Sequence, residues 1–359
     1  MPPFRESVQF PAHFGFCEGV VAADDLLKNV STVAHEHGVD TVYGLHGIVH
    51  NSEVIASHEA QGVIFVEDPA EIPEDQLVVT SAHGTAPQVQ HALEQKGSTT
   101  FDAACPLVLA THRSVARARN QRETVLYVCH GKPGEATKLH DEVQAMVGHL
   151  DYTLTDSKLK NSPVPRAYLE LGEEPTTELL HPRQKYRIIG QTTLLASGLL
   201  KYRDILTDFI TAQQPEATVK VSEYGDVCFA VQNRQEGVRQ LVNIRPRRVD
   251  QIVVVTDPTS ANGQSYVDLA RELTEGQETT VHAVANAEEA AALGPIDGLT
   301  GLTASASTPD STTLEVARVF GLNTDVMPER RKFRLQDARK GVIEEKIRRH
   351  IERTRGNNG

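Results

Sequence analysis

The chain has 359 residues, enough for two or three compact units that each bury a core, and a single small domain is excluded. Lysine and arginine number 36 against 48 aspartates and glutamates, and the formal net charge of -12 argues against a general binder of nucleic acid or of anionic membrane. Its longest apolar runs reach strand length only, so no transmembrane helix is expected, and "MPPFRESVQF" lacks the basic start and apolar segment of a secretory signal. Four cysteines without close pairs read as reduced thiols in a cytoplasm.

In chain order, "TVYGLHGIVHN", "QLVVTSAHG", "ETVLYVCHG", "KYRIIGQTT", "QIVVVTDPTS" and "GLTGLTASAS" predict strands, and segments of helical period lie between them. That alternation is parallel α/β structure. Each run ends in a polar or glycine-bearing loop, where ligand sites of open α/β sheets gather.

Three cysteines share a setting. Cys17 in "FGFCEGVVAADDLLKNV", Cys105 in "FDAACPLVLATHRSVARA" and Cys228 in "GDVCFAVQNRQEGVRQLV" each stand just before a helical segment, and Pro106 suits a first helical position. A thiol there meets the positive end of the backbone dipoles, which favours the metal-binding thiolate. Polar loops follow each cysteine in the same order: around His50 and His83, then Lys132 and Thr192, then Ser260 and Ser307. The spacing to the first loop is 33, 27 and 32 residues, which reads as three copies of one α/β unit. The expected units are 14–105, 106–225 with a surface insertion near 151–185, and 226–320. A C-terminal extension, 321–359, follows; its "RKGVIEEKIRRHIERTR" mixes signs at helical spacing and predicts a solvated helix.

Three such units about a pseudo-threefold axis would each bring one thiolate to the centre. Zinc sites usually take ligands in close pairs, whereas these cysteines are 88 and 123 residues apart, so an iron–sulfur cluster is the better candidate. Three cysteines would leave one iron open. Cys129 ends the apolar run "TVLYVC", has no helix start and no counterpart in the repeat, and is expected to be a small buried side chain.

With "GFCEGV", "GIVHN", "SAHG", "FDAACPLV", "GQTTL", "CFAVQNRQEGVR", "SAN" and "ASTPD" in this order, the chain resembles the LytB family, the 4-hydroxy-3-methylbut-2-enyl diphosphate reductases of isoprenoid precursor synthesis. The resemblance covers about residues 14–320. It implies three α/β units around a central [4Fe-4S] cluster held by Cys17, Cys105 and Cys228. It also implies two-electron removal of an allylic hydroxyl, with ferredoxin or flavodoxin as electron donor. His50, His83, Ser260, Asn262 and Ser307 would hold the diphosphate, and Thr192 would lie near the substrate hydroxyl. Imidazoles, hydroxyls and an amide near helix starts supply donors to an anion without a basic patch.

Two departures stand out. The family carries His-Pro-Glu after the first strand of the second unit, the histidine facing phosphate and the glutamate relaying protons; here Lys132, Pro133 and Gly134 follow that strand. Lys132 is then the expected phosphate donor. Glu135, one residue on, is the candidate acid, with His130, Thr192 or a water as other relays. Ala261 stands where the family usually has serine. These departures leave open a paralogue with another substrate, or a non-catalytic iron–sulfur sensor. His35, His37, His91, His140 and His149 are read as surface histidines.

Overall fold

The computed structural model describes residues 8–133, 141–151, 164–221, 228–244, 248–296, 298–322, 324 and 337–356. The chain begins with strand β1 (Val8–Gln9), helix α1 (Glu18–Glu36), β2 (Val42–Leu45), α2 (Ser52–Glu59), β3 (Val63–Val66), β4 (Leu77–Thr80), α3 (Pro87–Gln95) and β5 (Thr99–Phe101). There follow α4 (Pro106–Gln121), β6 (Thr124–Cys129), α5 (Asp141–Asp151), β7 (Arg166–Glu170), β8 (Lys185–Gly190), α6 (Ala196–Gln213) and β9 (Thr218–Val221). The last stretch holds α7 (Phe229–Val242), β10 (Gln251–Val255), α8 (Ala261–Leu273), β11 (Thr280–Val284), α9 (Ala287–Ala292), β12 (Thr300–Ala304), α10 (Asp310–Val319) and α11 (Asp337–Gly356).

The strands form three four-stranded sheets of one topology: β3-β2-β4-β5, β7-β6-β8-β9 and β11-β10-β12-β1. Every pairing is parallel, as crossover helices require. The expected α/β fold with three parallel-sheet units is therefore observed. One detail escapes the sequence: the fourth place of the third sheet is filled by the N-terminal β1, with Val8 opposite Thr300. Each cysteine of the trio thus follows the fourth strand of a sheet, Cys17 after β1, Cys105 after β5 and Cys228 after β9.

Two compact units result. One comprises residues up to Ala22, Val49–Ala60 and the chain from Phe229 through α10, and it holds the β11-β10-β12-β1 sheet. The other comprises Ala23–Ile48, Gln61–Cys228 and α11, and it holds the other two sheets.

Strand β6 lies at the centre of the apolar core of the second unit. All six of its residues are buried, and alternate residues serve opposite faces. Leu126 and Val128 join Tyr186, Ile188, Leu199 and Leu206 on one face, while Val125, Tyr127 and Cys129 join Val143, Met146 and Leu150 on the other. Burying each of these larger apolar side chains contributes roughly 1.5–3 kcal/mol. This two-faced burial holds the end of β6 in a fixed place.

Two expectations need correction. β7 lies inside the stretch expected to be a surface insertion, yet it pairs along its length with β6 and is a member of the sheet. Its residues, from Arg166 to Glu170, are mostly half-buried, so it carries the mixed composition of an edge strand. The C-terminal helix is only partly solvated: Ile343, Ile347 and His350 are buried, and His350 Nδ1 lies 3.1 Å from Thr99 Oγ1 on β5. Among the described residues no helix is long and apolar enough to cross a membrane.

Candidate active site

The three cysteines occupy one local geometry. Cys105 is the N-cap of α4, while Cys17 and Cys228 stand one residue before α1 and α7. Each backbone N–H donates to a carbonyl just beyond the third strand of the preceding sheet: Cys105 to Ala82 at 3.0 Å, Cys228 to Thr192 at 3.0 Å and Cys17 to Ala306 at 3.3 Å. Those acceptors lie within the loops of His83, Thr192 and Ser307, so each thiol is indexed to a predicted substrate-facing loop. Val20 N–H also points at Cys17 Sγ, at 3.5 Å, as a helix start directs its free donors. None of the three is in a disulfide.

In the first unit, the predicted anion-binding residues collect at the start of α8. Ser260 is its N-cap, accepting from Gly263 N–H at 3.1 Å, and its Oγ lies 3.2 Å from Ser307 Oγ. Asn262 accepts from Ala306 N–H at 3.3 Å, and among the described residues its buried Nδ2 has no hydrogen-bond partner. A buried amide N–H2 left over beside two hydroxyls and a helix N-terminus is suited to an anionic ligand. Gly263 permits this packing, because a Cβ there would lie 1.6 Å from Thr256 Oγ1.

Half-buried His50 sits one residue before Asn51, the N-cap of α2. Its loop is tied to the Ser260 loop by Asp257, which accepts from Ser52 N–H at 2.8 Å, Ser52 Oγ at 2.7 Å, Thr259 N–H at 2.9 Å and Thr259 Oγ1 at 2.6 Å. Burial raises the Asp257 pKa, but these four bonds prevail and hold the carboxyl below its ordinary range. Sequence reasoning missed Asp257.

In the second unit, a buried carboxyl other than the expected candidates contacts Thr192. Glu142, the second residue of α5, is 1% exposed; its Oε1 accepts from Thr192 N–H at 2.7 Å and its Oε2 from Thr192 Oγ1 at 2.9 Å. Burial pushes its pKa up to about 7, against the pull of the two Thr192 bonds. A signal existed: His140-Asp141-Glu142 keeps the histidine and glutamate of the His-Pro-Glu pattern two residues apart, further along the chain than Lys132. The neighbouring Asp141 places its carboxylate 3.8 Å from His83 Nδ1, bringing the predicted His83 beside the start of α5. Gly84, at φ +86°, keeps this loop closed, since a Cβ there would meet His112 Cε1 at 2.5 Å.

Glu135 lies outside the described residues, as does His140. Lys132 is placed against an internal anion, its Nζ 2.8 and 3.0 Å from the two carboxylate oxygens of Glu173. His130 pairs through Nδ1 with Glu170 at 2.9 Å. Cys129 is fully buried, and burial, followed by the nearby charges of Glu170 and Glu142, pushes its thiol up to about 12, the inert side chain expected. His149 is not a surface residue: it stacks on His112 with ring centroids 3.9 Å apart.

Fold and sites together define a three-repeat α/β protein that presents thiols at helix starts, polar side chains at strand ends and a buried acid, Glu142, against Thr192. Comparison with known proteins supplies the family. Residues 8–320 match the LytB family, described as LytB protein, and the chain belongs to it. It is 30% identical over 311 residues to the 4-hydroxy-3-methylbut-2-enyl diphosphate reductase of Marinobacter nauticus, covering 85% of this chain and 86% of that one. With the Acinetobacter baylyi protein of the same name it shares 33% over 303 residues, 82% of this chain and 84% of the other. The solved E-1-hydroxy-2-methyl-but-2-enyl-4-diphosphate reductase of Plasmodium falciparum has the same fold, with a TM-score of 0.72 at 21% identity, over 94% of this chain and 98% of that one. A second solved structure, titled as (E)-4-hydroxy-3-methyl-but-2-enyl diphosphate reductase, the terminal enzyme of the non-mevalonate pathway, aligns with a TM-score of 0.57 at 25% identity over 87% and 98%.

Proposed function

We propose that this chain is a cytoplasmic iron–sulfur reductase that removes the allylic hydroxyl of 4-hydroxy-3-methylbut-2-enyl diphosphate, giving isopentenyl and dimethylallyl diphosphates. The observation that carries this reading is the chain of contacts from Glu142 to Thr192 to Cys228, a buried acid two hydrogen bonds from a candidate cluster ligand. The donor set fits the cofactor. Cys17, Cys105 and Cys228 stand outside any disulfide in equivalent positions of three repeats, and three thiolates suit a [4Fe-4S] cluster with one open iron. A bound cluster would supply two electrons, delivered by ferredoxin or flavodoxin, and a Lewis acid for the hydroxyl.

The protein's own residues do the rest. His50, His83, Ser260, Asn262 and Ser307 bind the diphosphate, and the unpartnered Nδ2 of Asn262 supports that assignment. Lys132 contributes positive charge only in company with Glu173, which makes it an anchor of its loop more than a diphosphate donor. Thr192 Oγ1 orients the substrate hydroxyl and passes it a proton from Glu142, whose pKa near 7 leaves it part protonated at neutral pH. The C–O bond breaks, the oxygen leaves as water, and the allylic carbon takes two electrons and the second proton.

Anaerobic assay of the reconstituted protein with this diphosphate and a strong reductant tests the proposal. Formation of the two isomeric products is expected. Absence of turnover with an intact cluster rejects the substrate.

A further inference from the structure

Arg234 lies within α7 and is 3% exposed. Its guanidinium donates Nε to Gly15 O, Nη1 to Ala230 O and Nη2 to Phe16 O, each at 2.8 Å. All three acceptors are neutral carbonyls, and among the described residues Arg234 forms no ion pair with a carboxylate. Each of the three nitrogens has a hydrogen-bond partner, but a guanidinium does not lose its proton in a protein, so its charge is left uncompensated. A buried charge in that condition is costly unless an anion completes it.

The position of the charge indicates the anion. The Phe16 carbonyl that Arg234 grips belongs to the same peptide unit as the Cys17 N–H, which itself donates to Ala306. One peptide plane immediately before the Cys17 side chain is therefore fixed at both ends, and one of those ends is a full positive charge. Gly15, the next residue back, is fixed likewise, its carbonyl to Arg234 and its N–H to Ala304 at 2.9 Å.

We propose that Arg234 is the buried counter-charge of the cluster and a positioning residue for its ligand Cys17, setting the ease with which the cluster accepts an electron. The proposal rests on the iron–sulfur reading above. Reduction adds negative charge at the site, so a fixed cation beside the Cys17 loop stabilises the reduced form and raises the reduction potential. A purely structural arginine would hold the loop without moving that potential.

The test compares Arg234→Gln, which removes the charge but keeps amide donors, with Arg234→Lys, which keeps the charge and loses the fork. Both are reconstituted anaerobically, assayed for iron and sulfide, and titrated with reductant while the cluster spectrum is followed. The expected result is a more negative midpoint potential in Arg234→Gln and a near wild-type value in Arg234→Lys. Failure of Arg234→Gln to load a cluster that Arg234→Lys still loads also supports a role for the charge. Equal potentials in Arg234→Gln and wild type overturn the proposal, and so does loss of the cluster in both variants, which would mark the fork as structural. If the wild-type protein itself takes no cluster, the iron–sulfur reading fails first and this inference goes with it.

Discussion

Glu142 holds Thr192 at two points, accepting its N–H at 2.7 Å and its hydroxyl at 2.9 Å, so the acid and the hydroxyl beside it form one rigid pair. In the proposed mechanism this carboxyl passes its proton through the hydroxyl of a residue fixed from the other side, where the Thr192 carbonyl accepts from Cys228 N–H. Glu142→Gln keeps the shape and removes the dissociable proton. Turnover should fall by roughly 100-fold or more with iron content unchanged. In wild type, turnover should also fall above about pH 7 as Glu142 ionises, and that limb should vanish in the variant.

The same carboxyl should leave its mark on the stability of the cluster-free protein. Its folded pKa is raised from 4.5 to about 7, so the folded state binds the extra proton. The associated stability is fully present below about pH 4.5 and is lost as pH rises through about 7, by roughly 3 kcal/mol in all. Denaturant midpoints of wild type and Glu142→Gln measured at pH 5 and pH 7.5 check this; parallel profiles would show that Glu142 is not the titrating group.

The cysteines should separate cleanly by setting. Serine at position 17, 105 or 228 should abolish or deplete the reconstituted cluster, read as iron and sulfide per chain. Cys129→Ala should leave the cluster intact and cost about 1 kcal/mol of stability, since it only removes a sulfur from a packed face shared with Tyr127 and Met146. Loss of iron in Cys129→Ala would undo the assignment of ligands.

What could be read from the sequence divides by burial. The six apolar runs that predict strands are β2 and β4, β6 and β8, and β10 and β12, the two inner strands of every sheet. The six that went unread are all at edges. Inner strands such as β6 and β10 are buried throughout, so their sequences are continuously apolar, whereas β9 is almost wholly exposed and β7 mostly half-buried. The cysteine trio was legible because each thiol repeats one local setting. Glu142 was not, because Asp141 and Glu142 open a helix whose remaining residues read as ordinary core and surface. Asp257 was missed for another reason: its value lies in reaching Ser52, some two hundred residues away, which no local pattern encodes.

Asp257 joins two loops of the candidate anion site, and its loss should loosen both. Asp257→Ala strands four donors on Ser52 and Thr259. About 1–3 kcal/mol of stability should be lost. Because the folded pKa is depressed, this contribution is present above the unfolded carboxylate range near 4 and is lost as pH falls through the lower folded value. Wild type and variant should therefore converge in stability toward strong acid. KM for the diphosphate should rise with cluster content unchanged; an unaltered KM would show that the His50 and Ser260 loops keep their places without the clamp.

His112 and His149 supply the opposite pH dependence from Glu142. Burial lowers the His112 pKa to about 3, helped by His149, and burial lowers that of His149 to about 4. Both are neutral in the fold but take protons near 6.5 when unfolded, so their contribution is complete above about pH 6.5 and is lost as pH falls toward 4 and then 3. Glu142 loses stability as pH rises over part of the same range, and two groups outweigh one only where both histidines can titrate. The apoprotein should then lose stability steadily below pH 6, despite the gain at Glu142. Replacing the stacked pair together, His112→Phe with His149→Phe, keeps two flat rings and removes both sites. Its denaturant midpoint should stay level or rise between pH 6.5 and 5, where that of wild type falls. A fall as steep as the wild type's would place the acid sensitivity elsewhere in the fold.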